Sequence, residues 1–568
     1  MSGVRALAAT HREGRRAVDE TVEALIAALA DADPAMFITA TPAAWLRTRA
    51  EALRAGPQDL PLLGVPFAVK DNIDVAGLPT TAGCPDYAFL PHHSAAVVRR
   101  LEAAGAIVAG KTNMDQFATG LVGTRTPYGA LSSTSSPEHV SGGSSSGSAV
   151  SVAAGIVPFA LGTDTAGSGR VPAAFNGLVG LKPTRGLVST AGVVPACRTL
   201  DCVSVLTRDV GDAGPVLAVA AGFDAGDAWS RRAGQPARGS PRVLGVPVSG
   251  QLDFGGDEYA ARAWERARAH ATALAERIME VDLAPFLEAA RLLYEGPWVA
   301  ERYAAVGDFV ARDDVVTDPT VRRIVLAGAE LRAVDAFRAR YRLAELRRAA
   351  GETFTAVDTL LLPTAPTHPT HAEVAADPVG VNARLGTWTN FANLLDLAAL
   401  AVPAGRRDDG LPFGVTLVGP AWTDEALLGL GAEWEASGTG PGVDVAVVGA
   451  HLTGMSRNGE LVALGARHVA TSRTAPSYRL FDLDDGTGRP GLVRDEEGAA
   501  IEVEVWRLTA AAFGRLVAGV GAPLTIGTLE LADGELVKGF LCEAHAIRDA
   551  REITEHRGWR AYRSVVAA

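Results

Sequence analysis

Between residues 62 and 162 the chain keeps returning to one arrangement: a short apolar run, a stretch with helical spacing, and another apolar run. Leu62–Val69, Ala106–Ala109 and Ile156–Leu161 are the runs, and Ser94–Ala104 and Ser148–Ala154 have the helical spacing. An apolar run without polar alternation has no face to offer water, so each run is expected as a strand buried on both sides and covered by helices. That requirement points to an α/β layered core. Amphipathic helices are expected over residues 15–55 and a long helical region over 257–350, with further strands at Thr359–Leu362, Leu397–Val402 and Gly414–Val418.

A change of pattern follows the stretch Ala436-Ser-Gly-Thr-Gly-Pro-Gly442, whose composition suits a linker. Beyond it Val443–Val448, Arg479–Leu483, Ala500–Trp506 and Leu536–Cys542 read as strands separated by turns. The expected organisation is therefore a domain over 1–440 and a small β-rich domain over 441–568. The net charge of -12 and the absence of any Lys/Arg cluster argue against nucleic acid as a partner. No run of apolar residues has membrane-spanning length, and Met1–Asp33 lacks the plan of a secretory signal. The four cysteines are too few for a disulfide scaffold and form no CxxC pair, so a reducing, cytoplasmic setting and no metal are expected.

Three segments carry chemistry. In Val65-Pro-Phe-Ala-Val-Lys70 a lysine ends an apolar run. Burying an ammonium is costly, and a lysine neutralised by burial is a general base; alone, Lys70 reads rather as a side chain snorkelling from a strand end. In Ser141-Gly-Gly-Ser144-Ser-Ser-Gly-Ser no Gly-Lys-Ser/Thr follows, so a phosphate loop is excluded. Gly143–Gly147 formally matches a nucleophile elbow centred on Ser145, which would need a histidine partner; His368 and His371 are available downstream. In Gly162-Thr-Asp-Thr-Ala-Gly-Ser168 a serine sits in a glycine-bearing turn after a buried strand, where the backbone N–H groups of Thr165, Ala166, Gly167 and Ser168 can converge on an oxyanion. An ordinary strand–turn–helix connection accounts for the same residues.

Together these segments resemble the amidase signature family over roughly residues 20–430, and Gly177-Leu-Val-Gly-Leu-Lys-Pro-Thr-Arg-Gly matches the continuation of its signature. The resemblance implies a mixed β-sheet core covered by helices. It also implies a Ser–Ser–Lys triad with Ser168 as nucleophile, Ser144 as bridge and Lys70 as base, and Gly143 among the substrate contacts. It removes Ser145 from the nucleophile's role and implies no cofactor.

Substrate choice needs other residues. In Leu292-Leu-Tyr294-Glu-Gly-Pro-Trp-Val-Ala-Glu-Arg302, Gly296-Pro297 breaks a helical pattern, so Tyr294 and Arg302 flank a bend. Arginine suits a carboxylate through a bidentate pair. This segment resembles that of allophanate hydrolases, and Val443–Met455 resembles the start of their C-terminal domain, which is similar to γ-glutamylcyclotransferases. The resemblance implies allophanate as substrate, a homodimer and a functional link to a urea carboxylase. In the C-terminal domain it points to His451 and Glu504, serving either decarboxylation of the first product or assembly; with no second His or Lys as a partner for His451, assembly is the expectation. A rival within the family is the glutaminase subunit of a tRNA-dependent amidotransferase; a third possibility is a non-catalytic scaffold on the same fold.

Overall fold

The computed structural model describes residues 3–566 apart from 235–241, 438–442, 465, 484–488 and 509. Most of the linker stretch thus lies outside the described residues. The chain divides into two compact units, Met1–Glu435 and Ala436–Ala568.

The first unit is built on an 11-stranded mixed sheet. In spatial order its strands are Phe37–Ala40, Ile107–Thr112, Pro66–Lys70, Phe159–Thr163, Val203–Thr207, Val179–Lys182, Leu397–Arg406, Pro412–Pro420, Thr359–Pro363, Val243–Pro247 and Arg277–Val281. Pro66–Lys70 lies parallel to both Ile107–Thr112 and Phe159–Thr163, and every residue of these three strands is buried. Strand alternation divides their side chains between two apolar layers. Phe67, Val69, Phe159 and Leu161 enter one core with Val97, Val98 and Leu101 of helix Ala96–Ala103. Ala68 and Ala160 face the other, beneath helices Val18–Ala30, Ala43–Ala55 and Ser146–Ala153. The rings of Phe67 and Phe159 stack at 5.1 Å between centroids and tie the two central strands together.

The expected runs are strands, displaced by a few residues. The helical region over 257–350 is broken: Glu258–Ala271, Ala284–Glu295, Trp298–Val310, Pro319–Ala327 and Ala333–Ala356 are helices, but Arg277–Val281 is a sheet-edge strand. Its Arg-Ile-Met-Glu-Val sequence is only half-buried and lacks the continuous apolar signal of the central strands. Helix starts are set locally; Asp257 accepts from Ala260 N at 2.9 Å, and Asp318 from Thr320 N and Val321 N.

The second unit has a five-stranded sheet in the order Arg467–Arg473, Glu502–Leu508, Val443–Val447, Leu536–Cys542, Leu524–Glu530. A three-stranded sheet of Pro490–Arg494, Tyr478–Asp482 and Arg551–Glu552 accompanies it. Val445, Val447, Tyr478, Leu480, Val503, Val505 and Trp559 fill its core. Among the described residues no helix is long and apolar enough to cross a membrane.

One close approach ties the sheet to the segment carrying Ser168. The short helix Arg170–Phe175 lies so near strand Val179–Lys182 that a Cβ on Gly180 would stand 2.7 Å from Ala173 Cβ and 2.8 Å from the Gly169 carbonyl oxygen. Gly180→Ala is therefore expected to lower unfolding free energy by about 1–3 kcal/mol through overpacking against backbone. Denaturant titration against wild type measures it, and an unchanged midpoint would show that the helix can move.

Candidate active site

The parallel strands end together, and at their shared edge Lys70 and Thr163 close two neighbouring strands. Lys70 is 0% exposed. Its Nζ donates to Ser144 Oγ at 2.8 Å and to Thr163 Oγ1 at 2.7 Å. Among the described residues it forms no ion pair. Burial pushes its pKa down to about 7, against the upward pull of Asp115, Asp164 and Asp201. An amine so placed is neutral for a large part of the time near neutral pH.

Ser144 is delivered by the Gly/Ser loop. The Gly143–Ser144 peptide is cis. A Cβ on Gly143 would lie 2.2 Å from Asp115 Oδ2 and 2.5 Å from Gly123 N, so only glycine permits this path. The neighbouring serines are occupied elsewhere. Ser145 Oγ bonds the Thr163 carbonyl at 3.2 Å, Ser146 Oγ the Asn113 carbonyl at 3.3 Å, and Ser148 Oγ the Leu161 carbonyl at 2.9 Å. The elbow reading fails on the same geometry. His368 bonds the Val140 carbonyl and stacks on Phe175, while His371 bonds Ser132; neither meets Ser145.

The turn Asp164–Ser168 is wound around one carboxylate. Asp164 accepts from the N–H of Gly167, Gly169 and Arg170 and forms a two-point pair with the Arg170 guanidinium at 2.9 Å. Burial pushes the Asp164 carboxyl up, but Arg170, Lys182 and the Gly167 N–H outweigh it and leave its pKa below the usual range. Thr165 Oγ1 donates to Asp201 at 2.6 Å, Thr389 Oγ1 to the Ala166 carbonyl at 2.7 Å, and Asn393 to the carbonyls of Asp164 and Thr165. This corrects one expectation. The Gly167 N–H points to Asp164 Oδ1 at 2.7 Å and so is spent inside the turn. Among the described residues no acceptor takes the N–H of Thr165, Ala166 or Ser168. Ser168 is 3% exposed, and its Oγ donates to the Gly120 carbonyl at 3.3 Å. The structure thus joins Lys70 to Ser144 by a hydrogen bond, but Ser144 and Ser168 are not so joined.

Tyr294 and Arg302 meet as the bend requires. Gly296-Pro297 separates helices Ala284–Glu295 and Trp298–Val310, and Arg302 Nη2 donates to Tyr294 Oη at 3.3 Å. Arg302 is buried, yet its acceptors are all neutral: Tyr294, Thr119 Oγ1 at 2.9 Å and the Ala118 carbonyl at 3.5 Å. Its Nε has no partner, and among the described residues no carboxylate pairs with it. A buried cation without a hydrogen-bonded carboxylate can receive an anion; Asp201 and Glu301 act on it only through space. Nothing in the sequence pointed to Thr119, Asp115 or Asp201. Thr163 alone left a trace, as a polar residue closing a buried run beside that of Lys70.

In the second unit His451 lines a cavity of about 180 Å³ together with Arg457, Glu460, Arg515 and Phe540. Its Nε2 lies 3.2 Å from Glu460 Oε2, and its ring stacks on Phe540 at 5.2 Å. Burial lowers its pKa against the upward pull of Glu460, which favours the neutral imidazole. Glu504 is placed differently. Its Oε2 accepts from Thr453 N, Thr453 Oγ1 and Trp506 Nε1, and its Oε1 from Arg560. No hydrogen bond joins it to His451, and it does not line the cavity. Among the described residues no group of three or more His, Cys, Asp or Glu is placed to hold a metal ion.

Comparison with known proteins gives this geometry a family. Residues 443–564 match the model of the allophanate hydrolase C-terminal domain. The urea amidolyase of Saccharomyces cerevisiae is 44% identical over 548 residues, which is 90% of this chain but 30% of that protein; the chain spans under a third of this relative's length. One of the glutamyl-tRNA(Gln) amidotransferase subunits, from Natronomonas pharaonis, is 37% identical over 407 residues, 66% of this chain and 96% of that one. The solved structure of Kluyveromyces lactis allophanate hydrolase superposes with a TM-score of 0.72 at 40% identity and covers 98% of each chain. Because residues 20–428 match the amidase model, the chain belongs to the amidase family.

Proposed function

We propose that the chain hydrolyses allophanate at its terminal amide, with Ser168 as nucleophile, Ser144 as bridge and Lys70 as base. The observation that carries the reading is the pair of opposites at one site: a lysine neutralised by burial on Ser144, and a buried Arg302 with no counter-ion. The likeness to allophanate hydrolase and urea amidolyases supports the choice of substrate.

In this reading the Ser168 hydroxyl leaves the Gly120 carbonyl for Ser144. Lys70 takes the Ser144 proton as Ser144 takes that of Ser168, and Ser168 Oγ bonds to the amide carbon. The displaced π pair rests on the carbonyl oxygen, facing the free N–H groups of Thr165, Ala166 and Ser168. Collapse breaks the C–N bond, and the proton held on Lys70 returns through Ser144 to the leaving ammonia. Water then attacks the acyl-serine by the same relay and releases N-carboxycarbamate, which decays to ammonia and carbon dioxide. Arg302 binds the substrate carboxylate and Tyr294 orients its amide, with the Gly143 backbone alongside. Free glutamine also carries a carboxylate, but three carbons from its amide carbonyl against the single nitrogen of allophanate, so the substrate panel below, and not the charge on Arg302, separates the glutaminase alternative. A cytoplasmic homodimer, working downstream of a urea carboxylase, belongs to the same proposal.

A specific observation favours a second step in the C-terminal unit over assembly alone. His451 faces Glu460 through Nε2, and Arg515 and Arg457, itself paired with Glu460, share its cavity, so the imidazole is placed to relay from solvent the proton that the nitrogen gains as its bond to the departing carbon dioxide breaks. A small dianion such as N-carboxycarbamate suits that lining.

Ammonia release from purified protein on allophanate, malonamate, biuret and glutamine side by side tests the main reading; turnover of glutamine and not allophanate would sink it. Ser168→Ala is expected to cost on the order of 10³-fold or more in kcat, and Lys70→Ala nearly as much, with the double variant no worse than either because the relay acts as a unit. Since only neutral Lys70 accepts a proton, kcat/KM is expected to climb with pH through a limb near 7, its folded-state value. A profile flat from pH 5 to 9 would exclude lysine as the base. Arg302→Ala removes a charged hydrogen bond worth about 1.5–3 kcal/mol and is expected to cost roughly 10–100-fold in kcat/KM on allophanate, with much less loss on a neutral amide. His451→Ala is expected to release the first ammonia normally and to accumulate N-carboxycarbamate by carbon-13 NMR; a silent variant would return the C-terminal unit to an assembly role.

A further inference from the structure

The loop Phe117–Gly120 enters the steps above only as the carbonyl that Ser168 leaves, yet both ends of the site hang from it. At Thr119 the hydroxyl donates to the Phe117 carbonyl at 3.2 Å, which turns its lone pair to Arg302 Nη1 at 2.9 Å. At Gly120 the carbonyl holds Ser168 Oγ at 3.3 Å. The loop itself is held rigidly in an unfavourable conformation. Phe117 and Ala118 have φ of 49° and 52°, the left-handed region that non-glycine residues avoid. Phe117 N bonds the Ala82 carbonyl, Arg125 Nη1 the Thr119 carbonyl, and Leu121 N the Asn382 side chain. The Phe117 ring meets Phe309, one face along the same helix as Arg302, at 6.0 Å. Loop and helix are thus clamped together at two points.

We propose that Thr119 is a specificity-determining positioning residue: its hydroxyl oxygen fixes where the Arg302 guanidinium, the anion anchor, sits. The inference rests on Ser168 and Arg302 having the roles given above. A substrate whose carboxylate reaches Arg302 where Thr119 holds it gains the charged contact, and a neutral amide does not. The strain in the loop serves this purpose, because a relaxed loop would let the anchor drift.

Malonamate and a neutral amide of its length form the test pair, and wild type is expected to prefer malonamate. Thr119→Val keeps the shape of the buried side chain but removes the hydroxyl, and is expected to raise KM for malonamate by about tenfold, the value of one hydrogen bond to a charged group, while kcat changes little. The preference for malonamate over the neutral amide falls by the same factor, and Thr119→Ser restores it. Thr119→Ala, which only removes atoms, replaces the valine variant should that one not fold. A fall in kcat at constant KM, an equal loss on the neutral amide, or a serine variant as poor as the valine one would overturn the positioning role. If allophanate is not hydrolysed but malonamate is still selected over the neutral amide through Thr119, the positioning role stands and the allophanate reading falls; if allophanate is hydrolysed and Thr119→Val keeps full selectivity, the reverse holds.

Discussion

The site depends on an ammonium group taken out of water without a counter-ion. Lys70 ends a strand buried along its whole length, and its Nζ finds two hydroxyl oxygens instead of a carboxylate. A carboxylate there would stabilise the charged form and leave a lysine that never acts as a base. Hydroxyls satisfy its N–H groups without holding the proton. Three carboxylates are close enough to pull on Lys70, and each is occupied by other donors. Asp115 takes Gly123 N and Arg125 N, Asp164 takes Arg170, and Asp201 takes Thr165 with Ala196 N and Cys197 N. The fold thus surrounds its base with carboxyl groups already committed to other donors.

That commitment also builds the loops. Asp115 and Asp164 each collect the N–H groups of a turn that has no regular ladder of its own, and so replace solvent where water is excluded. Asp164 is the stronger case, because Arg170 returns the charge that its burial would otherwise leave unmatched. Without such struts neither turn has a reason to keep its shape, and Ser144 and Ser168 depend on those two turns for their positions.

What the sequence disclosed, and what it hid, follows from the range of the interactions. Lys70, Ser144 and Ser168 were legible because each violates its surroundings: a charge after an apolar run, and polar turns between buried strands. Tyr294 and Arg302 were legible through Gly296-Pro297, a local break with local consequences. Strands Val179–Lys182 and Val203–Thr207 went unread because Gly180 and Ser204 interrupt their apolar runs, and they are fixed by pairing to each other and to Leu397–Arg406 and Phe159–Thr163. Thr119 was hidden for the same reason: its meaning lies in Arg302, which is 183 residues away. The expectation that four consecutive N–H groups converge on an oxyanion missed Asp164 because it counted donors in the turn and overlooked the acceptor beside them. In the C-terminal unit, a search restricted to His and Lys missed Glu460 as the partner of His451, since a carboxylate serves an imidazole as well as a second base would.

The remaining feature is what the free site leaves unsatisfied. Arg302 Nε has no acceptor, its Nη groups rest on neutral oxygens, and the N–H groups of Thr165, Ala166 and Ser168 bond no described residue. Buried donors without acceptors cost stability, and most of the interior avoids them. Two sets of them stand where a bound substrate would carry negative charge, one present from the start and one appearing only as the carbonyl is attacked. The first lack is relieved on binding and sets affinity; the second is relieved only in the transition state and sets rate. A neutral amide relieves the second alone and still has to bury the first. Discrimination against neutral amides therefore needs no clash with them: an arginine kept dry and unpaired by Thr119, Tyr294 and the Ala118 carbonyl is enough.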